Sequence, residues 1–89
     1  MKIDYRKHFI KRMTRAPVWI QETFRKRLAL FILNKHDRQL VDHPLKGKWS
    51  GFRSINVTGD WRAIYHQLGD GGIEWVEFVE IGTHSELYR

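Results

Sequence analysis

Hydrophobic and polar positions change their period half-way along the chain. In the first half they recur at helical spacing. Phe9, Ile10 and Met13 share one side of the stretch from Arg6 to Arg15, with basic residues between them. That spacing predicts a helix. Pro17 is expected as the first residue of a second helix, because its fixed φ suits that position and its missing N–H needs no partner there. From Val18 to Lys35 the apolar residues Ile20, Phe24, Leu28, Phe31 and Ile32 follow steps of three and four, with Arg25 and Lys26 off that stripe. The result is a helical hairpin with one buried face and one basic face.

The second half alternates. Trp49–Val57 (WSGFRSINV), Trp61–Gln67 (WRAIYHQ) and Ile73–Ile81 (IEWVEFVEI) place apolar and polar residues near strict alternation, which predicts three strands. Thr58-Gly59-Asp60 and Gly69-Asp70-Gly71-Gly72 supply the turns between them. Ile3 and Tyr5 mark a short edge strand over Met1–Tyr5. A strand, two helices and a three-strand meander predict an α+β fold, β-α-α-β-β-β, with the hairpin on one face of a small antiparallel sheet. The other face, with the loop at 36–51, stays open for function.

The closing stretch IGTHSELYR adds one element. Thr83 and Glu86 have the T-x-x-E spacing of a capping box, in which hydroxyl and carboxylate each accept from a free backbone N–H. A short C-terminal helix is therefore expected, with His84 as its first residue and Tyr88 one turn on along the same face. The free N–H groups of such a start suit a phosphate.

Length and composition narrow the class. Eighty-nine residues allow a single domain, 1–89, with one small core. Cysteine is absent, so disulfides and thiolate metal sites are excluded and the cytoplasm is the expected compartment. MKIDYRKHF lacks the apolar run of a signal peptide, and no segment approaches the roughly 18–20 apolar residues of a membrane span. No membrane partner is expected.

Charge is uneven. Residues 1–53 carry 14 basic and 4 acidic side chains, whereas residues 54–89 carry 2 and 6. A basic half of that density is an electrostatic footprint for a polyanion. The aromatic residues point to nucleic acid, because their faces stack on unpaired bases.

Five histidines are the candidate chemistry: His8, His36, His43, His66 and His84. None pairs at i, i+3 or i, i+4, and without cysteine no metal site and no cofactor are expected. His8 and His36 flank helices and His66 sits on a strand, positions that suit structural or solvated roles. His43 begins HPLKGKW, where Pro44 and Gly47 constrain a loop bearing Lys46 and Lys48. Acyl transfer and nucleotide-driven chemistry lack their parts, since no P-loop and no Ser or Cys nucleophile motif is present. RNA cleavage needs none of these. The 2′-OH is the nucleophile, and the protein must remove its proton, stabilise the phosphorane and protonate the leaving 5′-oxygen. Histidine suits the proton transfers near neutrality and arginine suits the phosphate.

The ordered set HPLKGKWSGFR, GDWRAIY and IGTHSELY resembles the RelE/ParE toxin superfamily, in particular its YafQ-like and RelE/StbE-type members, over nearly the whole chain. The resemblance implies the RelE-like fold and an endoribonuclease acting on mRNA, mostly at the ribosome, held inactive by a cognate acidic antitoxin in a toxin–antitoxin hetero-oligomer. Residue by residue, it implies that His43 is an active-site histidine, that Asp60 and Trp61 are the Asp-Trp pair opening a strand, that His84 is the proton donor and that Tyr88 is a C-terminal aromatic. Arg62 resembles the arginine of RelE-type members, and Arg53 a strand residue facing the substrate. His43 and Asp60 are both candidates for the base. Asn56 stands where YafQ-like toxins carry a second histidine, and Glu80 near a position where they carry arginine. The acidic row Glu74, Glu77 and Glu80 is expected to weaken the positive field beside His84. ParE-type members share the fold but inhibit DNA gyrase by binding, and a lapsed RNA-binding relative is a further alternative.

Overall fold

The computed structural model describes residues 1–69 and 74–88. In chain order these form β1 (Lys2–Tyr5), α1 (Lys7–Arg15), α2 (Val18–Leu33), β2 (His43–Pro44), a 3-10 turn (Gly47–Trp49), β3 (Arg53–Asn56), β4 (Trp61–Gln67), β5 (Trp75–Thr83) and α3 (His84–Leu87). The expected order of helices and strands is present, with four local differences. Pro17 is the residue capping α2, not its first helical one, and α2 stops at Leu33. The strand expected from Trp49 begins only at Arg53, because Gly47 and Gly51 have φ of 65° and 91° and turn the chain first. The pair His43–Pro44 adds a strand on the edge of β3, with His43 opposite Ser54. The expected turn at Gly69–Gly72 and the strand start at Ile73 fall largely on residues 70–73, outside the described residues.

The sheet is mixed rather than antiparallel. Its order is β1-β5-β4-β3-β2. The last four strands in sequence pair antiparallel, but β1 lies parallel to β5, with Ile3 opposite Val76. A parallel neighbour needs a long crossover, and the α1–α2 hairpin with the strands after it provides one.

Alternation along β4 sorts the side chains into two clusters. Ala63 and Tyr65 point to the helices and join Phe9, Ile20, Phe24, Phe31, Leu40, Ile55, Val57, Val76, Phe78 and Ile81 in the main core. Phe78 is its centre, with Phe24, Phe9 and Phe31 at 5.3, 5.5 and 5.9 Å. Ile64 points the other way and joins Val79 and Leu87, over which Leu45, Trp49, Phe52 and Tyr88 pack. A bulge makes this possible. Ile64 pairs Glu80 while Tyr65 pairs Phe78, so Val79 is an extra residue and Ile81 returns to the helix-side core. The second, smaller cluster carries the cleft described below.

Candidate active site

A cleft of about 420 Å³ opens on the side of the sheet away from α1 and α2. Val41, His43, Pro44, Leu45, Lys46, Asn56, Arg62, His84 and Tyr88 line it. Its titratable side chains are two histidines, a lysine, an arginine and a tyrosine, and no carboxylate is among them. That composition suits a phosphodiester.

The His43 wall is fixed by its neighbours in sequence. Leu40 is fully buried, and its carbonyl accepts from the Asn56 N–H at 2.7 Å. The Asp42 side chain, 3% exposed, accepts from the Tyr65 hydroxyl at 2.8 Å and from Arg53 Nε at 3.2 Å. Burial, with that bond to Asp42, pushes the Tyr65 hydroxyl well above its ordinary pKa, so it remains a donor. Between these two anchors Val41 has φ 48°, in the left-handed region. An L-residue there costs roughly 1–2 kcal/mol, and a β-branched one is a rare occupant. The strained residue presents its carbonyl to His43, whose Nδ1–H donates to it at 2.7 Å. A ring that donates from Nδ1 keeps its lone pair on Nε2 when neutral, so the tautomer is that of a base.

The opposite wall comes from the chain's C-terminal segment. Thr83 caps α3, its hydroxyl accepting from the Glu86 N–H at 3.3 Å while Glu86 Oε1 accepts from the Thr83 N–H at 2.8 Å. The expected capping box is formed. The Thr83 N–H bond, chief among the causes, holds the Glu86 carboxyl below the usual carboxylate range, and Arg12 adds to it. The His84 N–H donates to the Asp60 carbonyl at 2.9 Å, and the His84 ring lies against Tyr88 with centroids 4.7 Å apart. Trp49 Nε1–H donates to the Leu87 carbonyl at 3.0 Å, tying the 3-10 turn to α3. Arg62 sits opposite Asn56 in the β3–β4 register. Its Nη1 donates to the carbonyls of Gly59 and Thr58 at 2.8 and 3.0 Å. The turn thus grips one nitrogen of the guanidinium. Among the described residues, Nε and Nη2 have no hydrogen-bond acceptor.

Of the residues singled out from the sequence, His43, His84, Arg62, Tyr88, Asn56 and Lys46 line the cleft together. Four do not. Asp60 is exposed and meets His84 only through its backbone carbonyl. Trp61 packs against the main core. Arg53 is held by Asp42, and Lys48 lies over the Trp49 ring at 5.9 Å. The acidic row is also elsewhere: Glu74 pairs with Lys35, Glu77 with Arg6, and Glu80 with His8 and Arg12. It does not oppose the cleft's charge, because helix-side cations neutralise it. His66 packs its ring on Phe52 at 5.0 Å. Sequence reasoning missed Val41 and Leu45 as lining residues and read Pro44 only as a constraint on the loop. Nothing in the residue type marks Val41, whereas Asp42 stood beside His43 as a visible signal. Among the described residues no three His, Cys, Asp or Glu side chains cluster as metal ligands, and no helix is long and apolar enough to cross a membrane.

The mixed sheet and helical hairpin have the fold of the small RelE/YoeB-type toxins. The YoeB/ParE toxin from Agrobacterium tumefaciens superimposes with TM-score 0.74 at 20% identity, over 94% of this chain and 99% of that one, a likeness of fold. Sequence narrows the class. The profile for the bacterial toxin of type II toxin–antitoxin systems, YafQ, matches residues 1–89, and the chain belongs to that family. The crystal structure of YafQ from E. coli strain BL21(DE3) superimposes with TM-score 0.78 at 28% identity, covering 99% of this chain and 98% of that one. The E. coli DinJ–YafQ toxin–antitoxin complex matches at TM-score 0.76 and 29% identity, over 99% and 97%. The mRNA interferase toxin YafQ of E. coli K12 is 43% identical over 47 residues, 53% of this chain and 47% of that protein. The aligned stretch thus spans about half the length of the curated relatives it matches.

Proposed function

We propose that this chain is an mRNA interferase, the toxin of a type II toxin–antitoxin pair, which cleaves ribosome-bound mRNA in the cytoplasm by attack of the 2′-OH. The observation that carries the reading is the pinned tautomer of His43 in one cleft with His84 and Arg62. His43 Nε2 takes the 2′-OH proton as the 2′-oxygen attacks the adjacent phosphorus. Arg62, with Lys46, stabilises the charge on the equatorial oxygens. His84, protonated, gives its proton to the departing 5′-oxygen, leaving a 2′,3′-cyclic phosphate and a 5′-hydroxyl. Two proton transfers then have two histidines, so Asn56 serves as a hydrogen-bonding group and need not titrate. Tyr88 braces His84 and offers a face to a base.

Family membership supports this reading, as does the E. coli relative named an mRNA interferase. Gyrase inhibition needs no such histidine–arginine set. The complex of DinJ with the E. coli relative supports an antitoxin partner. Between α1 and α2 a groove of about 320 Å³ is lined by the exposed Ile10 and the half-buried Met13 and Leu28, with Arg25 beside them. That surface suits an acidic amphipathic helix.

Primer extension on mRNA in a reconstituted translation mixture tests the proposal. Cleavage products ending in a 2′,3′-cyclic phosphate, and resistance of a message carrying 2′-deoxyribose at the scissile position, are expected. Intact message at toxin concentrations matching the ribosomes, with lost supercoiling in a parallel gyrase assay, would replace this reading with gyrase inhibition.

A further inference from the structure

The four-residue helix α3 begins at His84 and is capped by Tyr88, and a helix of one turn does not hold its own shape, since nucleation is unfavourable. Something else must fix it. Four ties come from the cleft side or from α3 itself: the burial of Leu87 with Ile64 and Val79, the capping box, the Asp60 carbonyl and Trp49. The fifth comes from the helix layer. β1 ends opposite Phe78, so the rest of β5 has no strand on that side, and α1 runs along it. From α1, Arg12 Nε donates to the Ile81 carbonyl at 3.3 Å and lies 3.4 Å from Glu80 Oε1. Its Nη2 lies 3.3 Å from Glu86 Oε2. The Glu86 carboxylate is therefore held at both oxygens, by Arg12 on one and by the Thr83 N–H on the other.

Gly82 makes the passage. A Cβ at this position would stand 2.9 Å from Arg12 Nη2 and 3.2 Å from Glu86 Oε1. The guanidinium crosses the backbone where any side chain would be, one residue before Thr83 and two before His84.

We propose that Arg12 is a positioning residue for His84 and Tyr88, acting through Glu86 on the one-turn helix that begins at His84 and is capped by Tyr88. This rests on reading the cleft as a ribonuclease site. Arg12 touches no cleft atom. Its effect is on placement: Thr83 caps α3 and Glu86 lies within it, so a shift of Glu86 carries the packed His84 and Tyr88 rings with it. A proton donor must lie within hydrogen-bond reach of its oxygen, and a displacement of about 1 Å can slow a reaction up to about a hundredfold.

The test compares wild type with Arg12→Met, Arg12→Lys and Glu86→Gln. Single-turnover cleavage, ribosome affinity, thermal melting and the NMR shifts of the His84 ring are read on each. Arg12→Met is expected to cut about tenfold more slowly, with affinity within about twofold, and to move the His84 ring shifts toward those of an imidazole away from the Tyr88 ring. Glu86→Gln should follow it in direction, because its amide still accepts from Thr83 but loses the ion pair. Arg12→Lys should recover part of the rate, since one ammonium cannot span Ile81 and Glu86 together. Wild-type rates and unmoved His84 shifts in Arg12→Met overturn the proposal, as does a loss of rate that follows only the melting temperature. If the wild-type chain cuts no message, the ribonuclease reading fails, while the His84 shifts still decide whether Arg12 places that ring.

Discussion

On the helix side of the sheet, four phenylalanines meet at ring distances of 5.3 to 5.9 Å and none needs a polar partner. On the other side the buried apolar cluster among the described residues is Ile64, Val79 and Leu87, beneath a polar cleft whose loop carries a strained Val41. Just behind that loop, Asp42 Oδ2 and Ser54 Oγ are buried without a hydrogen-bond partner among the described residues. Buried polar groups and left-handed β-branched residues each destabilise a fold. Here both gather around the His43 strand and its partner. The large core supplies the stability that lets the cleft's loop keep a costly shape.

Substitutions can break this division of labour, the largest effect coming from the core. Phe78→Ala removes the ring at the centre of the aromatic cluster and should lower stability by about 3–5 kcal/mol, measured by denaturant unfolding. Cleavage per folded molecule should persist. His84→Ala should do the reverse: cleavage falls by about a hundredfold or more, while the unfolding midpoint scarcely moves, as for other exposed side chains. A variant that lost both properties together would deny that the two faces are separable.

Val41→Gly sharpens the contrast. Val41 is 52% exposed, so little burial is lost, and glycine adopts its φ without strain. Relief of roughly 1–2 kcal/mol is partly offset by the larger entropy of an unfolded glycine, about 0.5–1 kcal/mol. Stability should therefore hold or rise slightly, while cleavage falls because the carbonyl that orients His43 is less constrained. Opposite movements of midpoint and rate are the expected outcome; parallel movements would remove strain from the account of the site.

The smallest effect belongs to pH. Glu86 has a folded pKa below its ordinary 4.5, so its contribution is complete above that value and is lost as pH falls through the lowered one. Melting followed from pH 6 to pH 3 should show this decline, and Glu86→Gln should flatten it.

Much of this was legible in the sequence because it depends on local period. The bounds of β4, the capping box and the meander follow from alternation and turn chemistry. The six candidate side chains that meet in the cleft were visible as residue types in motif order. What escaped was non-local. The parallel partner of β5 is β1, at the far end of the chain, and no period reveals it. Asp60 looked like a base, yet the turn exposes its side chain and offers only its carbonyl to His84. Glu80 looked like a neighbour of His84, but the bulge at Val79 and the arrival of α1 give it to His8 and Arg12.

The same long-range pairing governs when the molecule comes into being. Ile3 reaches its partner Val76 only across most of the chain, and such distant contacts form late and slowly. Synthesis runs from the other end, so β1 and α1 wait beside an empty lane until β5 has been made. His84 and Tyr88 follow β5 directly. For a chain with the activity proposed above, the cleft stays unassembled until β5 has been made and has found β1.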